Sequence, residues 1–472
     1  MEDKFYLMLR SFLLILLMHF WYGLFAQSVN EKLSSAIKIL LADSQCRHGI
    51  ISLYVVDSKT GKVIFSRNAT SGLPAGSCQK IITSVAAFEL LGKDYNYKTE
   101  LGYDGKIENG KLVGNIIIKG SGDPTLGSWR YNQSKEDIVI SNFKQAMQQV
   151  GIKEINGIVY GDDRLWKGES IPDGWIWQDI GSYYGAGATA LNWRENQYDV
   201  ILRSGKKIGD PVIKVATIPG YIEGLNLNVA LTSAAKGTGD KAYIYLPHDE
   251  DSGYIRGTIP VDEDRFIISG SMPKPAKQLA VMLYKELNHP LQDFEKNYYI
   301  PKKLLSPKIF YTYTSPTLDS INYWFLKKSV NLYGEALVKT IAYEKTKYGS
   351  TDTGVNVIKE FWSKHGIEKT ALNIIDGSGL SPANRVTASS LTTVLQYAKK
   401  QAWFSSFYNA LPVINNIKMK SGSIGGVLSY AGYVKNKTGE EYTFAFIIDN
   451  FNGDGSSLRE KMWKVLDTLN DK

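Results

Sequence analysis

The sequence predicts an α/β (α+β) protein in which one helix-and-strand domain is interrupted by an inserted β-rich region. Three observations carry this. Residues 27–95 hold a helical stripe, a hairpin and an apolar helix. Residues 96–272 are a succession of short alternating runs separated by Gly, Asp, Asn and Pro, with almost no convincing helix. From residue 273 onward helical signals return, and the chain closes on two strands and a last helix. At 472 residues the chain exceeds one ordinary domain, and an insertion fits this order better than beads on a string.

Taken in order, residues 1–26 read as a secretory signal peptide. Lys4 and Arg10 precede an apolar run over 12–25 that ends at Ala26, and that run is shorter than the roughly 20 residues a spanning helix needs. An uncleaved anchor is the alternative. Apolar residues at Val29, Leu33, Ile37 and Leu40 then form a helical stripe over 29–42. Strand-like runs at 51–56 and 63–66 are joined by a polar turn, and residues 77–91 read as a helix stopped by Gly92. In the middle, strands are expected at 112–119, 199–203, 212–217, 225–231 and 242–246. Helices are expected at 275–287, through 318–348, at 355–364 and at 389–400. Strands at 428–435 and 442–449 and a helix from about residue 457 complete the chain.

Composition narrows the function. Hydrophobic content of 43% with 22% charged residues is that of an ordinary globular protein. The charges within residues 1–26 cancel, so the exported chain keeps the net charge of +8, which suits an anionic cell-wall polymer or lipid headgroup. No dense Lys/Arg run points to nucleic acid. Two cysteines, Cys46 and Cys78, make no disulfide framework, and five histidines without metal-ligand spacing argue against a metal site. No cofactor motif survives inspection: residues 105–111 begin like a phosphate-binding loop, but Leu112 stands where a magnesium-binding hydroxyl should be.

No GxSxG elbow occurs, which leaves a serine paired with a lysine one turn along a helix. Ser77 and Lys80 have that spacing and share one helix face. A lysine kept neutral by burial or by neighbouring cations can take the serine proton, and the helix N-terminus favours the oxyanion. Several other Ser-x-x-Lys spacings exist, Ser35/Lys38 and Ser141/Lys144 among them, but only Ser77 opens an apolar helix after Pro74-Ala75-Gly76. Two further motifs follow in order. In Ser329-Val330-Asn331 the hydroxyl can relay a proton to the leaving amine and the amide can hold the substrate. In Lys420-Ser421-Gly422-Ser423 the lysine and hydroxyls can bind a terminal carboxylate beside a backbone that pairs with the peptide as an added strand. The backbone N–H groups of Ser77 and Ser423 would form the oxyanion hole. Lys59-Thr60-Gly61 and Lys437-Thr438-Gly439 are hairpin turns in the wrong order for this role.

Together these motifs resemble those of the class C low-molecular-mass penicillin-binding proteins, the penicillin-binding protein 4 type of D-Ala-D-Ala carboxypeptidase/endopeptidase. The resemblance extends to Gly122-Asp123-Pro124-Thr125-Leu126, Leu332-Tyr333-Gly334-Glu335, Asp376-Gly377-Ser378-Gly379-Leu380-Ser381 and Gly425-Gly426-Val427. It implies a serine transpeptidase/β-lactamase-like domain with a five-stranded antiparallel sheet flanked by helices, and an insertion between Ser77 and Ser329. It also implies peptidoglycan peptides as substrate, penicillins and other β-lactam antibiotics as covalent inhibitors, no cofactor, and a periplasmic location. Asp162 resembles an inserted-domain position that contacts the peptide's diamino-acid side chain, and reads equally as a surface-turn aspartate. The family usually has Pro-Ala directly before the nucleophile, where Gly76 intervenes here, and Ser421 replaces its commoner threonine. Pro382 stands where relatives often carry an arginine. The alternatives are a serine β-lactamase of the same fold and a non-catalytic peptidoglycan-binding module.

Overall fold

The computed structural model describes residues 28–298 and 306–470; the expected leader lies outside them. Its principal sheet has six strands in the order Val413–Ile414, Ile417–Ile424, Val427–Lys435, Glu441–Asp449, Ile50–Asp57 and Val63–Arg67. Every neighbouring pair is antiparallel. Five strands are substantial; the sixth is a two-residue addition at the edge. Ile50–Asp57 pairs along its whole length with Glu441–Asp449, so the early hairpin and the late strands close a single sheet across nearly 400 intervening residues.

The period of two along the strands decides the layers. On Glu441–Asp449, Tyr442, Phe444, Phe446 and Ile448 face a core shared with the helices Val29–Ala42 and Gly455–Asp467. Ala445 and Ile447, pointing the other way, join a core built from the helices Lys80–Leu91, Leu318–Lys327, Asn331–Thr346, Thr351–Lys364 and Ala388–Ala398. The helix Lys80–Leu91 is apolar almost all round because helices surround it, and it ends at Gly92, whose φ of +86° gives the left-handed exit that glycine tolerates. The helical signal over 318–348 is two helices, broken at Ser329.

The inserted region has a hydrophobic core of its own, built around a four-stranded sheet in the order Lys308–Thr314, Lys98–Tyr103, Ile116–Lys119, Val159–Asp162, and three three-stranded sheets. Two expectations need correction. A 14-residue helix, Glu136–Gln149, lies in the stretch read as nearly free of helix; Val139, Ile140, Phe143 and Met147 are its buried stripe. The second core also continues past residue 272, because the helix Pro275–Glu286 supplies Leu279, Val281 and Leu283, and Lys308–Thr314 pairs with Lys98–Tyr103. The helix Pro275–Glu286 and the strand Lys308–Thr314 therefore pack with the insertion. The rejected phosphate loop is the tight hairpin between Lys106–Glu108 and Lys111–Val113. No described helix is long and apolar enough to cross a membrane.

Candidate active site

The turn Gly76–Gln79 leads into the helix Lys80–Leu91 and sits against the strand Ile417–Ile424. Gly76 is what permits this approach. Its φ is +49°, and a Cβ there would lie 2.9 Å from the Ser423 backbone nitrogen. Gly422 is as tightly placed, 2.1 Å from the Ala75 carbonyl by the same measure. The extra glycine before Ser77 thus brings the Ser77 turn and the Ser423 backbone side by side. Ser77 is half-buried and opens onto a cleft.

Lys80 is fully buried and its Nζ has three partners: Ser77 Oγ at 2.9 Å, Asn331 Oδ1 at 2.5 Å and the Ser378 carbonyl at 2.8 Å. Asn331 is oriented independently, its Nδ2 donating to the Tyr184 carbonyl at 2.7 Å, so Oδ1 must face the lysine. Burial, with the Lys420 cation next in importance, holds Lys80 well below the usual lysine range, against the opposing pull of Asp376 and Glu335. A neutral amine has two N–H groups and one lone pair. The two carbonyl-type acceptors take both N–H groups, which leaves the lone pair for the Ser77 hydroxyl proton.

Ser329 sits at the break between two helices with φ of +58°, a left-handed conformation rarely adopted by serine. It lines the same cleft as Ser77, Asn331 and Ser423. Lys420, Ser421, Gly422 and Ser423 lie on Ile417–Ile424. Lys420 is buried, donates to the Ser421 carbonyl at 2.9 Å, and is pushed by burial down to about 8. Cys78, beside Ser77, is explained by packing: its thiol donates to the Lys420 carbonyl at 3.1 Å, and burial raises it to about 11. Both cysteines are free.

Asp376 shapes the neighbouring loop, accepting from Gly379 N and Ser381 N, each at 2.7 Å, and from Trp175 Nε1 of the inserted region at 3.0 Å. Glu335 accepts from Gly377 N, and burial lifts its carboxyl to about 7.

Asp162 is not part of this cleft. It is buried at the end of Val159–Asp162, and both its oxygens receive the Arg164 guanidinium, at 2.8 and 2.9 Å. The acidic side chain that does line the cleft is Asp179, in the short helical turn Trp177–Ile180, and burial holds its carboxyl above the usual range. Sequence reasoning missed it, together with Arg130, Tyr184 and Tyr243, which the insertion brings to the same cleft of about 730 Å³. The only signal available was their density of aromatic and charged residues in a Gly-rich stretch.

A D-alanyl-D-alanine carboxypeptidase of Actinomadura sp. (strain R39) is 27% identical over 455 residues, covering 90% of this chain and 82% of that one. The D-alanyl-D-alanine carboxypeptidase DacB of Haemophilus influenzae is 24% identical over 423 residues, 85% of each chain. The crystal structure of penicillin binding protein 4 (dacB) from Haemophilus influenzae superimposes with a TM-score of 0.76 at 22% identity, over 93% of this chain and 98% of that one. A second structure of that protein, complexed with a β-lactam, gives 0.68 at 20% identity, over 90% and 94%. These likenesses bear out the transpeptidase-like fold. The family model for D-Ala-D-Ala carboxypeptidase 3 (S13) matches residues 33–469, and the chain belongs to that family.

Proposed function

We propose that the protein is a serine-type D-Ala-D-Ala carboxypeptidase/endopeptidase of the cell wall, with Ser77 as nucleophile and Lys80 as general base. The observation that carries this reading is the buried Lys80 amine held between Ser77 Oγ, Asn331 Oδ1 and the Ser378 carbonyl. Ser77 Oγ attacks the carbonyl carbon of the penultimate D-Ala while its proton passes to Lys80 Nζ. The backbone N–H groups of Ser77 and Ser423 receive the oxyanion. Collapse breaks the C–N bond; Ser329 relays the proton to the departing amine, which leaves as D-Ala or as the amine of a cross-linked peptide. Water then attacks the ester, its proton again going to Lys80, and Ser77 is regenerated.

Ser423, which lines the cleft, takes the terminal carboxylate with Ser421 and the buried Lys420 of the same strand, and the Ile417–Ile424 backbone beyond its short pairing with Val413–Ile414 joins the peptide as an added strand. Asp179, as the acidic side chain of the cleft, suits an ammonium on the substrate's diamino acid, the role the sequence suggested for Asp162. Penicillins acylate Ser77 as substrate mimics. A cell-wall substrate requires export, and the periplasm is the compartment proposed; the net charge of +8 favours association with anionic wall polymers. Incubation with a fluorescent penicillin tests the reading: a lasting adduct supports a DD-peptidase, and rapid penicillin turnover without adduct would indicate a β-lactamase instead.

A further inference from the structure

Glu195 is fully buried, yet a single oxygen, Oε1, receives three donors: Ser128 Oγ at 2.7 Å, Arg130 Nε at 2.8 Å and Tyr333 Oη at 2.8 Å. The backbone that delivers it is strained, because Arg194, Glu195 and Asn196 have φ of +55°, +54° and +50° in succession. Tyr333 lies two residues beyond Asn331 on the same helix. Glu195 thus clamps the inserted region to the helix that carries the SxN motif, and it fixes the Arg130 side chain in doing so.

Arg130 is held on three sides. Its guanidinium carbon lies 5.4 Å from the centre of each of the Trp129 and Trp324 rings, and its Nε is committed to Glu195. Its terminal nitrogens make no hydrogen bond among the described residues, and the side chain lines the cleft with Ser77 and Ser329. The other cation lining that cleft, Lys328, is exposed and lacks such support. A planar guanidinium with Nε occupied and its far edge free matches a carboxylate in two-pronged geometry.

We infer that Arg130 is a specificity-determining residue that binds a substrate carboxylate other than the one at the scissile end, and that Glu195 is the positioning residue that aims it. The inference rests on the peptidase reading above, which assigns the terminal carboxylate to Lys420, Ser421 and Ser423. The enzyme therefore prefers peptides with a free upstream carboxylate to the same peptides amidated.

The test uses two synthetic peptides ending in D-Ala-D-Ala that differ only in whether an upstream glutamyl carboxylate is free or amidated. The readout is the ratio of their kcat/KM values, with enzyme titrated by penicillin labelling of Ser77 so that unfolded protein does not affect it. Wild type should favour the acid at least tenfold, mainly through KM. Arg130→Gln should reduce the ratio to near one, Arg130→Lys should leave it intermediate, and Glu195→Gln should lower it without matching Arg130→Gln. A wild-type ratio near one, or an Arg130→Gln ratio equal to wild type, would overturn the inference. Equal losses on both peptides in every variant would reduce the pair to a structural role and overturn it too. Absence of Ser77 labelling and of cleavage in the wild type would overturn the reading of function instead.

Discussion

Replacing Gly76 with alanine probes the construction of the site without removing any reacting group. The residue has φ of +49°, and the new Cβ would meet Ser423 N at 2.9 Å and Gly422 C at 3.2 Å. Left-handed backbone costs a residue with a Cβ about 1–2 kcal/mol, and overpacking against a strand that cannot yield costs about 1–3 kcal/mol more. Gly76→Ala should therefore destabilise the fold by about 2–5 kcal/mol. To restore ordinary contact near 3.4 Å, the Ser77 turn and the Ser423 backbone must separate by roughly 0.5 Å. A misplacement of about 1 Å can cost about 10²-fold in rate, so a loss on the order of tenfold in penicillin acylation is expected. Thermal melting and stopped-flow acylation measure the two effects. Gly61→Ala is the control: its φ is +75° with nothing within 4 Å of the added Cβ, so it should lose about 1–2 kcal/mol and acylate as wild type. Wild-type melting and acylation in Gly76→Ala would refute the close approach of turn and strand.

Further predictions concern charge. Lys80→Gln should lower acylation by about 10²–10⁴-fold, the usual contribution of a general base, while the fold persists. Lys420→Gln removes the second-largest influence depressing Lys80, so the acid limb of the acylation profile should move to higher pH, read from its position and not its height. Lys339, whose Nζ donates to the carbonyls of Glu169, Ser170 and Ala188, is lowered by burial to about 8 in the fold from 10.5. The unfolded chain then binds more protons between those values, so stability should rise with pH across about 8–10.5 and the rise should shrink in Lys339→Met; urea melts at both ends of the window check it. Asp179→Asn should reduce selectivity for peptides with an amino side chain over their acetylated forms. Asp162→Asn should instead cost stability, about 1–3 kcal/mol from the lost Arg164 contacts, with selectivity retained.

The parts of the molecule legible in the sequence are those set by local pattern. Ser77 and Lys80 stood out from the other Ser-x-x-Lys spacings because an apolar helix follows them directly after Pro74-Ala75-Gly76, and the runs at 428–435 and 442–449 read as the strands they form. The helix Glu136–Gln149 escaped because its polar face, with Glu136, Asp137, Lys144 and Gln148, dilutes the apolar stripe in a stretch otherwise punctuated for strands. Asp162 was ambiguous in the sequence because an aspartate in a turn-like stretch looks alike whether it faces a substrate or an arginine two residues on. Glu195 and Arg130 were beyond reach: their roles depend on a contact with Tyr333 spanning 138 positions and on a left-handed run that no propensity signals. Gly76 appeared as a departure from the usual approach to the nucleophile, and its reason emerges only once Ser423 lies against it.

Intact mass and peptide mapping after exposure to a penicillin decide whether Ser77 is the acylated nucleophile of a DD-peptidase. A stable adduct of one penicillin on the peptide containing Ser77, absent in Ser77→Ala, is the expected result. An adduct at another serine, or one that forms equally in Ser77→Ala, would mean that Ser77 is not the nucleophile.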